Sequence, residues 1–266
     1  MTSADPQRRA GRSVTAKVLA LLDAFTSRTP EMTLSEMARR ADVSLPTAHR
    51  RAAELLEWGA LEQSPDGRYR IGLRLWELAS LAPRGPGLRE AAMPFLEDLY
   101  EITRENVQLA VREGADVVFV ERIAGHHAVP VRTRVGGRFA LHATGVGLAL
   151  LAHAPVEVQE NLLDSRLDRF SPKTITDRAV LREKLAAIRQ SGFAISDGQV
   201  TVDALSVAAP VSDPDGSVIA AVSLVVPAEG AQSAALAPVV RSAARSIARA
   251  LRAPRPEPDS AQHRLP

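Results

Sequence analysis

Leu141-His142-Ala143-Thr144-Gly145-Val146-Gly147 holds the densest set of groups able to do chemistry in this chain. A threonine is followed by two glycines that flank a valine, and an apolar run begins directly after. Thr144 reads as a helix N-cap. The free N–H groups at such a start, with a glycine permitting close approach, favour a carboxylate or other anion. Gly145 and Val146 would present those donors, with Leu141 and His142 in the loop before them. The alternative is a glycine-containing cap with no ligand. Ser206 and Ser223 fall on segments that read as neighbouring strands, among small and apolar residues. Their hydroxyls either complete a polar pocket facing Thr144 or bond to nearby backbone.

Catalysis needs more than this. His142 has the chemistry of a general base, but no G-x-S-x-G nucleophile elbow accompanies it. Gly145 and Gly147 lack the third glycine of a dinucleotide fingerprint. His126 and His127 are adjacent, a poor geometry for chelating one metal, and the helical H-E-x-x-H pair is absent. The chain has no cysteine, which excludes disulfides, thiolate metal sites and cysteine nucleophiles. The expectation is a binding protein with no catalytic residue, no metal and no cofactor. The competing readings are a small-molecule-processing enzyme and a ligand-binding protein, each with an accessory helical domain.

A different chemistry is written into residues 33–72, TLSEMARRADVSLPTAHRRAAELLEWGALEQSPDGRYRIG. Thr33 and Glu36 fit the S/T-x-x-E capping box of one helix. Asp42-Val43 makes a turn, and Ser44 caps a second helix, where Pro46 is tolerated because first-turn N–H groups lack helical partners. At about 100° per residue, Ala48, Ala52, Leu55 and Leu56 face inward. Thr47, Arg50 and Glu54 then point outward, with His49 and Arg51 on the flanks. An outward threonine and arginine near the start of the second helix suit the reading of base edges in a DNA major groove. Arginine grips guanine O6 and N7. The alternative is an ordinary surface helix. After Gly59, residues 61–64 and 68–71 read as a two-stranded wing turning at Pro65-Asp66-Gly67. Arg68 and Arg70 point outward, placed to touch phosphates, while Tyr69 and Ile71 take the other face.

These groups need two scaffolds, and 266 residues suit two domains. With 45% hydrophobic and 24% charged residues the composition is that of a globular protein. The net charge is only +2, but residues 1–51 carry nine Lys/Arg against five Asp/Glu, while 83–266 carry 21 of each. The cationic excess lies at the end holding the paired helices. The N-terminal arginines precede no apolar run, so no secretory signal is expected. No run approaches the roughly 18 apolar residues of a membrane span. A cytoplasmic setting and no membrane partner are expected.

Residues 1–12 read as a flexible basic arm in which Arg8, Arg9 and Arg12 either touch phosphates or float. The first domain spans 13–82. Its opening helix, 13–25, has Ser13 as cap and Val14, Val18, Leu21, Leu22 and Phe25 on one face. Its closing helix, 73–81, has a broad apolar face from Leu73, Trp76, Leu78 and Leu81, part of it free to pair with a second subunit. A proline- and glycine-rich link at 83–87 follows. The second domain, 88–252, reads as a helix at 88–104 and strands at 107–111, 117–123 and 129–135. Helices at 144–153, 157–163 and 177–189 follow, then strands at 193–195, 205–211 and 218–226 and a helix at 235–251. Mixed strands flanked by helices imply an α+β fold on a largely antiparallel sheet. Residues 253–266, proline-rich and polar, read as a disordered tail.

Taken together, the chain resembles the IclR family of bacterial transcriptional regulators over about residues 13–251. In the first domain the resemblance rests on LSEMARRADVSLPTAHR, Gly59 and DGRYRIGLRLWELA. In the second it rests on ENVQLAVREGADVVFVERIAG, VGGRFALHATGVGLALLA, GFAISD and VAAPVSDPDGSVIAAVSLVVPAE. It implies an N-terminal winged helix-turn-helix domain joined to a larger effector-binding domain. It also implies homodimers or homotetramers on palindromic double-stranded DNA operators near metabolic genes, more often as repressors. Thr47, His49 and Arg50 match the family's recognition positions. The family's effector cleft corresponds to residues 142–146 with Ser206 and Ser223, and its effectors are typically small organic acids or aromatic metabolites. The chain departs from the family at three places. Leu148 stands where a lysine is common. VTVDALS, ending at Ser206, replaces a glycine-containing segment ending in cysteine. Val225 stands where relatives can carry a second serine. A less polar cleft follows, which favours an aromatic or longer-chain acid.

Overall fold

In a computed structural model of the chain, the described residues are 12–82, 86–125 and 128–252. The expected arm at 1–11, residues 83–85 of the link, His126-His127 and the expected tail lie outside them. The chain divides into two compact units, Met1–Ala82 and Pro83–Pro266.

The first unit begins with α1 (Val14–Asp23), where the Ser13 hydroxyl accepts the Ala16 N–H. Arg12 does not float, because its guanidinium donates to the Ala41 carbonyl at 3.0 Å. Next come β1 (Glu31–Met32), α2 (Leu34–Arg40) and α3 (Leu45–Trp58). The capping box of α2 closes in both directions. Glu36 N–H donates to Thr33 Oγ1, and Thr33 N–H donates to the Glu36 carboxylate at 2.9 Å. Those bonds hold the Glu36 carboxyl below the usual carboxylate range. Gly59 ends α3 at φ +84°, a left-handed conformation glycine accepts without strain. Then follow β2 (Leu61–Gln63), β3 (Tyr69–Ile71) and α4 (Leu73–Ala79).

The wing has three strands rather than the expected two, in the order β1-β3-β2. Glu31 and Met32 pair with Arg70 and Tyr69. Two residues are too few to show a period in sequence, but buried Met32 joins the strand to the core of Leu21, Met37, Ala48, Ala52, Leu61 and Tyr69. Ile71 does not share the inner face with Tyr69; it is 42% exposed.

The second unit starts with α5 (Pro86–Thr103), two residues earlier than expected, since proline is compatible with a helix's first turn. It continues through β4 (Asn106–Glu113), β5 (Asp116–Ile123), β6 (Arg138–Ala140), α6 (Gly145–Ala152), α7 (Val156–Asp164), α8 (Arg178–Ser191), β7 (Ala194–Asp197), β8 (Ala204–Ser212), β9 (Val218–Pro227) and α9 (Ser233–Arg252). The six strands form one sheet, β6-β5-β4-β9-β8-β7, antiparallel throughout.

The strand expected at 129–135 is not there. Pro130 has no N–H to give a ladder, and Gly136 (φ +71°) turns the chain so that Gly137 N–H donates to the Arg134 carbonyl. The strand forms after the glycines, where Arg138 to Ala140 pair with Val118 to Asp116.

Period-two alternation sorts side chains to the two sheet faces. Val107, Leu109 and Val111 of β4 pack with α5 and α9 in one core, together with Val207, Val222, Leu224 and Val240. On the opposite face Ala110, Ala208 and Ala221 pack with α6 and α8 in a second core. Those alanines let α6, buried along its whole length, lie close on the sheet. The same face carries Gln108, Ser206 and Ser223, polar residues two positions along the same strands from those alanines.

Candidate functional site

Beyond the start of α6, where the alanines give way to polar residues, the sheet leaves a small cavity of about 50 Å³. Its floor is Gln108 on β4, Ala204 and Ser206 on β8, and Val225 on β9. One wall is the start of α6, at Ala143, Thr144 and Gly145, and the facing wall is Ser196 and residues 199–201. Over the top runs a strap, residues 128–137, contributing Val131, Arg132 and Thr133.

The helix start is built as its sequence suggests. Thr144 Oγ1 accepts the Gly147 N–H at 3.0 Å. A methyl at Gly145 would strike the Ser206 hydroxyl, and one at Gly147 would strike the Leu141 carbonyl, so both positions need the missing side chain. Ser196 Oγ donates to the Ala143 carbonyl at 2.9 Å, which ties the helix's lead-in to β7. Gln199 steadies that wall, accepting the Ile175 N–H and donating to Ser196 Oγ.

The strap hangs from β4. Asn106 Nδ2 donates to the Val129 carbonyl at 2.8 Å, and Gln108 Nε2 donates to Thr133 Oγ1 at 2.6 Å. Val129 also packs with Val225 and Ala204 beneath it.

Of the effector residues read from sequence, Thr144, Gly145 and Ser206 meet in the cavity wall. Ser223 sits behind Gln108, its hydroxyl 3.5 Å from Oε1. Leu141 and Val146 belong to the core beneath α6. His142 faces away. Its Nε2 donates to the Asp168 carbonyl at 2.9 Å beside Phe170, and burial draws its pKa below the ordinary histidine value. Gln108, Ser196, Gln199 and Arg132 line the cavity without having been singled out. For Gln108 a signal existed, because Asn106 and Gln108 alternate with Val107 and Leu109 at the start of a strand whose middle is apolar.

In the first unit, Val43 N–H donates to the Ala38 carbonyl, and Asp42 takes φ +53° in the turn between α2 and α3. Ala48 and Ala52 are buried, Arg50 stands exposed on the opposite side and His49 exposed on the flank, both with no hydrogen bond or ion pair among the described residues. The Ser44 hydroxyl does not cap α3; it bonds the half-buried Thr47 hydroxyl at 2.9 Å. Arg51 lies along the helix flank, paired with Glu54, its side chain 14% exposed. In the wing, Arg70 is held by Glu62 through Nε at 2.9 Å and the terminal nitrogen at 2.8 Å, which lowers the Glu62 pKa. Arg68 is exposed, 3.5 Å from Asp66. The helix-turn-helix thus offers Arg50 freely, while the wing offers one loosely held and one firmly held cation.

A helix-turn-helix with a wing in one unit, and a cavity beneath a strap in the other, define a two-part DNA-binding protein with a small-molecule site. Comparison with known proteins gives the same class. Residues 14–65 match the IclR helix-turn-helix domain, and residues 84–249 match the domain described as "Bacterial transcriptional regulator IclR C-terminal". The HTH-type transcriptional regulator BhcR of Paracoccus denitrificans is 35% identical over 81% of this chain and 79% of its own. The HTH-type transcriptional repressor AllR of Klebsiella pneumoniae is 28% identical over 93% of each. The crystal structure of an IclR homolog from Microbacterium hydrocarbonoxydans, complexed with 4-hydroxybenzoate, superposes with a TM-score of 0.86 at 39% identity. It covers 90% of this chain and 99% of that one. The chain belongs to the IclR family of bacterial transcriptional regulators, which are DNA-binding proteins rather than enzymes.

Among the described residues no helix is long and apolar enough to cross a membrane, and no His, Asp and Glu side chains gather into a metal-holding group.

Proposed function

We propose that this regulator is a cytoplasmic repressor of metabolic or catabolic genes, released from its operator by a small organic acid, with aromatic acids the first class to try. The observation that carries the reading is the cavity under the strap. It lies at the start of a helix, where free N–H groups favour an anion, and among the described residues no carboxylate lines it to repel one. Two relatives support the choice of sign and ligand. AllR is named a repressor, and the Microbacterium homolog was crystallised with 4-hydroxybenzoate. Thr144, Gly145 and Ser206 touch the ligand in this reading, while Leu141, His142, Val146 and Ser223 hold the wall that presents them.

Control follows if the ligand binds one arrangement of a homodimer or homotetramer more tightly than another, since only differential affinity can shift an equilibrium. On a palindromic operator two recognition helices meet half-sites about 34–36 Å apart. Thr47, His49 and Arg50 read base edges there, with Ser44 and Arg51 beside them and Arg68 and Arg70 on phosphates.

The test is footprinting on DNA upstream of the protein's own gene, with and without 4-hydroxybenzoate. A symmetric, salt-sensitive footprint that fades with ligand is expected. Arg50→Ala should weaken specific binding about 5- to 150-fold, the worth of one base contact, and leave non-specific binding nearly unchanged. No sequence-specific protection at all would sink the operator assignment. Protection that no small acid alters would sink the effector assignment.

A further inference from the structure

Among the described residues, Arg132 is the one ionised side chain in the cavity lining, which is otherwise made of Gln, Ser, Thr and apolar residues. It makes no hydrogen bond or ion pair with any described residue. A loop arginine open to solvent ordinarily contributes little, because ordering its long side chain costs entropy and water screens the charge. This one sits on a stretch pinned on both sides. Three residues before it, the Val129 carbonyl accepts from Asn106 Nδ2; one residue after it, Thr133 Oγ1 accepts from Gln108 Nε2. Val129 is further fixed by packing on Ala204 and Val225. The backbone that carries the guanidinium is therefore set before any ligand arrives, and among the described residues no carboxylate in the lining competes for it.

From this we infer that Arg132 is the residue that selects for an acid, pairing with the ligand's carboxylate from the strap side. The inference rests on the effector reading above and deepens it. The guanidinium fork matches a carboxylate in two parallel hydrogen bonds, which a neutral amide cannot return. Gln108, Ser196 and Gln199 already spend hydrogen bonds on protein partners, so they carry no equivalent preference for charge. A ligand held this way joins the strap to the floor of the cavity.

The experiment compares 4-hydroxybenzoate with 4-hydroxybenzamide, by calorimetric titration of the full chain. Wild type is expected to prefer the acid by about tenfold, the scale of a charge-assisted pair at a partly open site. Arg132→Gln should bring the two compounds to within about twofold by weakening the acid alone, and Arg132→Lys should restore part of the preference. If Arg132→Gln keeps the full preference, or weakens acid and amide equally, the inference is overturned while the effector reading stands. If wild type binds neither compound, the aromatic-acid reading falls and the inference with it.

Discussion

His142 is 3% exposed, and its pKa is drawn down by burial, against the opposing pull of the Asp168 carbonyl and the Asp168 charge. The bond from Nε2 to that carbonyl fixes which ring nitrogen carries the proton in the neutral form. The sign of the consequence follows from linkage. A base whose folded pKa is depressed contributes stability that is present above its unfolded value and is lost as the pH falls through the folded one. Histidine's ordinary value is about 6.5, so the loss lies below that. His142→Phe leaves the Asp168 carbonyl without its donor and should lower the urea midpoint at about pH 7, yet it should remove this part of the decline toward about pH 5. Equal declines in both proteins would show that His142 does not titrate against folding. At this scale the sequence was legible for most residues that act on their own backbone. Thr33, Glu36 and Thr144 cap the helices they were read to cap, while Ser44 bonds Thr47 instead. It was opaque where direction depends on a distant partner. Nothing near His142 in sequence announces Asp168, 26 residues on, which turns the ring away from the cavity.

Among the elements, the strap is the one whose form sequence pattern misread. Residues 129–135 alternate like a strand, but a strand also needs a neighbour to pair with, and here side chains of β4 take that role. Glu105, at the edge of the same strand, accepts the Val129 N–H, while its Oε2 is buried with no partner. Burial is the larger influence and raises the Glu105 pKa; the Val129 bond works the other way. A raised carboxyl favours the folded state when protonated. That stability is full below the ordinary glutamate value and is lost as the pH rises through the folded one. Near pH 7 the charge thus costs the domain. Glu105→Gln keeps an oxygen for Val129 and drops the charge, so its melting temperature should exceed wild type near about pH 7, with the gap closing below about pH 4. A variant that melts lower at neutral pH would mean that the charged bond to Val129 outweighs the burial of the carboxylate. The central strands β4, β8 and β9 were readable as apolar runs bounded by turn residues, buried on both faces; β1 and β6, with two and three residues, are too short to read.

For the molecule as a whole, α4 poses the largest question of exposure. None of its residues is buried, and Leu73, Trp76 and Leu78, with Leu81 just beyond it, are 63, 64, 43 and 78% exposed. Burying one such side chain is worth about 1.5–3 kcal/mol, so a helix that leaves this many in water is poorly explained as a free surface. The sequence showed the broad apolar face, but a single chain carries no record of what covers it. If the operator is palindromic, as proposed above, a second copy is the occupant it calls for, because a two-fold site is best matched by a two-fold protein. Trp76→Glu puts a charge in the middle of that face, at a position outside the first unit's core. In sedimentation, wild type should then run as a dimer or tetramer, and the variant should shift toward smaller species at the same concentration. With only one recognition helix delivered at a time, operator affinity should fall by about 10²–10⁴, the gain that linking two half-site contacts supplies. The helix content of the variant should match wild type, which separates loss of association from loss of fold. If the variant associates and binds operator like wild type, the subunits meet elsewhere and this face answers to a different partner.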